Sequence, residues 1–79
     1  MRQKKKYAVI TFRSTTEAKA MERLCMEHQV PGRLIPLPKE ISAGCGLAWR
    51  MLPEELAQLH KRTDLPELKY ETEAEVWMY

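Results

Sequence analysis

The chain is short of several things, and each shortage closes off a class of protein. It has two cysteines, Cys25 and Cys45, in 79 residues. Two are too few for the disulfide framework that staples small secreted domains. They are not spaced Cys-x-x-Cys, so neither a thioredoxin-type dithiol nor a zinc knuckle is signalled. No apolar run approaches the roughly 20 residues that span a bilayer. The basic start, Met1 to Lys6, is followed by an apolar stretch, Tyr7 to Phe12, too short for a signal-peptide core and without a small-residue cleavage site. The expectation is a cytoplasmic protein that does not enter a membrane. There is no internal repeat, low-complexity tract or linker, and 79 residues suit one small domain, 7–79, behind a basic tail, 1–6.

What is present is a moderate hydrophobic fraction, 44%, with 30% charged residues and a net charge of +2. That mixture suits a globular chain rather than a disordered one. The charge is unevenly placed. Residues 1–52 hold ten basic and four acidic side chains, and residues 53–79 hold three basic and seven acidic. Setting aside Arg2, Lys4, Lys5 and Lys6 leaves nine basic against eleven acidic. A dedicated nucleic-acid binder carries its basic patch on the fold itself, so this balance argues against one.

Periodicity gives the elements. Tyr7 to Phe12 is β-branched and aromatic, which predicts a strand, and its unbroken hydrophobicity places it centrally. Ser14 followed by Glu17 is a capping box, opening a helix from about Thr15 to His28. Ala18, Met21, Leu24, Cys25 and His28 form its apolar stripe. Pro31-Gly32 turns the chain. Arg33 to Pro38 reads as a short strand that its two prolines confine to an edge. Leu47 to Met51 is a third strand. Pro53, Glu54 and Glu55 start a second helix, and Lys61 and Arg62 suit its end. Tyr70 to Tyr79 alternates as a strand with one acidic, solvent-facing side. The order βαββαβ predicts an α+β ferredoxin-like plait, a four-stranded antiparallel sheet with two helices on one face. The first and third strands are then central and the second and fourth are edges. The plait hosts many activities, so order alone assigns none.

The strongest local feature is the segment from Pro36 to Leu47. Gly44 and Gly46 flank Cys45, which permits positive φ and a close approach of backbone to a ligand. In an antiparallel plait the start of the third strand lies beside the end of the first, where Arg13 and Ser14 lead into the first helix. Cys45 should therefore sit near that helix N-terminus, whose free N–H groups and dipole stabilise a thiolate. Arg13 and Lys39 are candidate cationic neighbours acting in the same sense.

The strand-to-helix step with Phe12 and Ser14, the Leu34-Ile35-Pro36-Leu37-Pro38-Lys39-Glu40-Ile41-Ser42 run and the Cys45-Gly46-Leu47-Ala48 step resemble a small bacterial family of selenium/sulfur carrier-like proteins. The resemblance spans roughly residues 7–72. It implies a cysteine that holds sulfur or selenium as a persulfide or selenopersulfide, and that role maps to Cys45. It implies no dissociable cofactor beyond the covalently carried atom, and partners that donate or accept it. Sulfur-relay proteins with a Cys-Pro-x-Pro motif at a helix start are a different group, which this chain does not match.

Other readings use the same residues. Cys25, on the apolar stripe, reads as core, because free cysteine is among the most buried residue types. Cys25, His28, Cys45 and His60 match no familiar zinc spacing, so no metal site is expected. Both histidines fall on helices, away from the cysteine loop, which leaves a thiol-dependent enzyme without a base and makes a non-enzyme the expectation. In the carrier reading Gly44, Gly46, Arg13, Ser14 and Lys39 form the binding set around Cys45. The alternative function is a non-catalytic binding module for a small anion or a protein partner. An RNA-stacking version lacks aromatics at alternate positions of both central strands, since only Tyr7 offers one. Trp77 and Tyr79, near the C-terminus, suggest a homodimer patch.

Overall fold

The computed structural model describes residues 3–42 and 44–79. Met1 and Arg2 of the basic start, and Ala43 of the cysteine loop, lie outside the described residues. The elements run β1 (Lys5–Thr11), α1 (Thr15–Glu27), β2 (Arg33–Pro36), β3 (Leu47–Met51), α2 (Pro53–Lys61) and β4 (Thr72–Met78). The strands form one antiparallel sheet in the order β2-β3-β1-β4. This is the ferredoxin-like plait, with β1 and β3 central and β2 and β4 at the edges.

Alternation along β1 divides the molecule into two layers. Ala8, Ile10 and Phe12 point to the helices and join Ala18, Met21 and Cys25 of α1, Leu59 of α2, and Trp49 and Met51 of β3 in the main core. Val9 points the other way and meets Ala48 and Val76 in a second, smaller cluster. Burial on both faces explains why β1 reads as an unbroken hydrophobic run rather than an alternating one.

α1 starts where the capping box predicts. Ser14 Oγ accepts the Glu17 N–H at 3.2 Å, and the Glu17 carboxylate accepts the Arg13 N–H at 3.0 Å. Its end matches the expected stop near His28, which is the C-cap. The closure uses Gln29 in the left-handed region (φ 57°), with the Val30 N–H donating to the Cys25 carbonyl at 2.8 Å. That six-to-one bond is the Schellman closure, here made without glycine. Gly32 serves another purpose. At φ 127° a Cβ there would come within 2.4 Å of the Trp49 indole nitrogen, which itself donates to the Pro31 carbonyl. The turn and the buried tryptophan thus require each other.

Strand boundaries shift, with β2 ending at Pro36 rather than Pro38 and β4 beginning at Thr72 rather than Tyr70. β1 begins at Lys5, not Tyr7, because β4 is long enough to pair Lys5 with Met78 and Lys6 with Trp77. Lys5 and Lys6 are therefore strand residues rather than tail. On β4, Glu73 and Glu75 lie opposite Ile10 and Ala8, which are helix-side residues. The acidic row is exposed but projects past the helix layer. There Glu73 accepts hydrogen bonds from His60 of α2 and from the Tyr70 hydroxyl, both at 2.7 Å. Burial raises the Glu73 carboxyl, but these two bonds outweigh it and hold the group below its ordinary range. Ala74, Val76 and Met78 turn instead to the second cluster.

Candidate functional site

The segment between β2 and β3 is a loop closed at its base by one bond beyond the last strand pair. Pro36 pairs with Leu47, and the Leu37 N–H then donates to the Gly46 carbonyl at 2.8 Å. Two apolar side chains fasten the loop to the open side of the sheet: Leu37 and Ile41 pack on Val9, Ala48 and Val76. A turn closed by the Ile41 N–H on the Pro38 carbonyl, 3.0 Å, puts Lys39 and Glu40 at its exposed tip. The other limb crosses to the helix side, where Cys45 packs against the main core. The loop thus straddles the end of the sheet. The sequence carries the signal for this in Leu37 and Ile41, two apolar residues four apart in a polar stretch.

Cys45 is a free, half-buried thiol whose Sγ lies 3.7 Å from the Leu47 carbonyl, as its donor. Its flanking glycines do different work. Gly46 is left-handed (φ 77°) with open space where a side chain would stand, so it is needed for its backbone angle. Gly44 has no such angle, but a Cβ there would meet the Arg13 carbonyl at 3.2 Å. Gly44 therefore lets the loop lie against the link between β1 and α1. The end of the first strand, the start of the first helix and the cysteine loop do come together.

The side chains of the expected binding set have the following partners among the described residues. The Arg13 backbone lies against Gly44, and its guanidinium donates to the Tyr70 carbonyl at 3.2 Å. Ser14 is half-buried and spends its hydroxyl capping α1. With the Glu17 N–H taken, the Thr15 and Thr16 N–H groups remain the open donors of the first turn among the described residues. Lys39 is exposed at the loop tip, and among the described residues it makes no hydrogen bond or ion pair. Tyr70, which holds the Arg13 side chain, was not in the expected set. It precedes β4 and carries no sequence signal for this contact.

The second cysteine stands in contrast. Cys25 is 1% exposed within the main core. Burial pushes its thiol up to about 11, against a smaller opposing pull from the Arg62 cation. At neutral pH it is a protonated apolar side chain. Arg62 is itself anchored, donating to the His28 carbonyl at the end of α1 and, as a bidentate fork, to Asp64 at 3.0 and 2.7 Å. That fork holds the Asp64 carboxyl down at about 2.

A family model described as putative Se/S carrier protein-like matches residues 6–72. The chain belongs to this family. The match runs from the second residue of β1 to the first residue of β4 and so takes in the whole cysteine loop. No curated protein and no solved structure is similar enough to the chain to match. No helix among the described residues is long and apolar enough to cross a membrane.

Proposed function

We propose that this protein carries sulfur or selenium on Cys45 and passes it between partner proteins in the cytoplasm, without turning over a substrate of its own. The observation that supports this most is the placement of the two thiols. Cys45 is partly open in a glycine-framed loop, whereas Cys25 is sealed in the core. The family description supplies the cargo class.

The chemistry asks little of the chain. The Cys45 thiolate attacks the terminal sulfur of a donor's cysteine persulfide. The donor's inner sulfur leaves as a thiolate and takes up the proton, so the sulfane sulfur moves with no net oxidation. The selenium exchange is the same with selenium as the transferred atom. Glycine on both sides leaves room for a second protein's active site to reach the thiol. No second cysteine is placed to resolve the persulfide as an internal disulfide, because Cys25 is enclosed. The Gly44–Arg13 contact sets the loop against the link that leads into α1, and the positive end of that helix dipole would favour an anionic terminal sulfur on the loop.

Mass spectrometry after incubation with a cysteine desulfurase and cysteine tests the reading. The wild type and Cys25→Ala gain about 32 Da per chain, the mass of one sulfur in a persulfide, and the gain is reversed by dithiothreitol. Cys45→Ala gains nothing. An equal adduct on Cys45→Ala would remove the proposal.

A further inference from the structure

The end of the sheet away from Cys45 gathers positive charge without a matching ion pair among the described residues. Arg33 of β2 and Arg50 of β3 are direct cross-strand partners, so both side chains rise from the same face. Like charges placed opposite each other in a sheet cost stability. Among the described residues neither arginine has a carboxylate partner; the ion pairs lie elsewhere, on Lys6, Lys19, Arg23, His60 and Arg62. Arg50 is held in place by Tyr7, with its guanidinium carbon 4.7 Å from the ring centre. The Lys5 ammonium lies 5.9 Å from the same ring. Lys5, Tyr7, Arg33 and Arg50 line one cleft of about 310 Å³. The single carboxylate on its wall, Glu55, is tied to the start of α2, where it accepts the Leu52 N–H at 2.8 Å. Three cations thus face one carboxylate that already has a donor.

We propose that this cleft binds a phosphate group. Two guanidinium forks and an ammonium around one hollow match an anion with several acceptor oxygens and up to two charges. A lone carboxylate of an acidic peptide would satisfy one fork and leave the Arg33–Arg50 repulsion largely in place. The site is separate from the thiol. Arg50 lies three residues along β3 from Leu47, about 10 Å at strand rise, and Cys45 is beyond Leu47. The charge that composition alone assigns to a tail sits, at Lys5, within the fold. A ligand here leaves Cys45 free, so one end of the sheet would hold a phosphate-bearing molecule while the other handles the cargo.

Amide chemical-shift titration of the full chain at constant ionic strength tests this, with sodium pyrophosphate and then a six-nucleotide single-stranded RNA as probes. The expected result is saturable binding of pyrophosphate, with the largest shifts at Lys5, Tyr7, Arg33 and Arg50. Arg33→Gln/Arg50→Gln weakens it about tenfold or more, as the loss of a bidentate charge-assisted contact predicts. Tighter binding of the RNA, with shifts extending to Trp77 and Tyr79, identifies a phosphodiester chain as the source. Equal or weaker binding of the RNA identifies a small phosphorylated ligand. A six-residue glutamate peptide that binds where pyrophosphate does not would overturn the proposal, as would non-saturating shifts spread over Lys39, Lys61 and Lys69. Arg33→Gln alone supplies an independent readout. In phosphate-free buffer it raises the urea midpoint by relieving the like-charge pair. A lowered midpoint would make Arg33 structural and also overturn the proposal.

Discussion

The two cysteines of this chain have the same chemistry and opposite surroundings. Cys25 stands on a helix, on the face turned to the sheet, with Ala18 and Met21 on the same buried stripe. Cys45 stands in a loop that has no such neighbours in sequence, between one glycine chosen for its angle and another chosen for its closeness to Arg13. Burial makes the first thiol hard to ionise. Partial exposure leaves the second reachable. What separates them is the element each belongs to: a helix stripe delivers a side chain to the core, and a loop crossing the sheet end delivers one to the rim.

The largest expected effect comes from exchanging which thiol is removed. Cys45→Ala abolishes persulfide loading while changing unfolding free energy by about 1 kcal/mol or less, because the side chain is only partly packed. Cys25→Ala retains loading and loses about 1–2 kcal/mol from the small cavity it opens. Intact mass and urea denaturation on the two variants check both halves. Next in size is Cys25→Ser, expected to cost about 1–3 kcal/mol, because a hydroxyl replaces the thiol where no water reaches. An unfolding free energy unchanged in Cys25→Ser would show that packing at Cys25 is looser than the core geometry indicates.

Much of this contrast is legible in the sequence. The apolar stripe of α1 identified Cys25 as core, and βαββαβ order with antiparallel pairing placed Cys45 beside the β1–α1 link. Both rest on periodicity and on topology, which few residues can disturb. Less legible were interactions that depend on where a long side chain turns. The Arg13 guanidinium bonds the Tyr70 carbonyl, a partner set by a segment 57 residues away in sequence. Lys5 and Lys6 looked like tail because three lysines in a row lack a strand pattern. Their pairing comes from the length of β4. Gln29 gives no sequence hint of its left-handed angle, since glycine is the usual residue there.

The glycines allow a finer test of the same contrast. Gly46→Ala places a Cβ in open space but in the left-handed region, and it should cost about 1 kcal/mol by backbone strain alone. Gly44→Val has no angular penalty but must push the Arg13 carbonyl away from 3.2 Å. It should therefore move the loop off the α1 start and slow loading several-fold at similar stability cost. If both variants load at the wild-type rate in a single-turnover transfer from a persulfide donor, the glycine frame serves folding and not access to Cys45.

The smallest expected effect reports on Cys25 through pH. Its folded-state thiol sits near 11 against an ordinary 9.0. A group held above its unfolded value contributes stability that is complete below the unfolded value and is lost as pH rises through the folded one. Between about pH 9 and pH 11 the unfolded chain gives up the Cys25 proton while the folded chain keeps it, so stability falls across that window. Tyr70, held above its ordinary value chiefly by its bond to Glu73, adds to the loss of stability at high pH, which makes the difference from Cys25→Ala the informative quantity. The wild-type urea midpoint should decline more steeply than that of the variant over this range. Cys45→Ala should follow the wild-type slope, because the side chain that resists ionisation is still present. Parallel slopes for wild type and Cys25→Ala would mean that water reaches Cys25 in the folded state and that the two thiols differ less than their burial indicates.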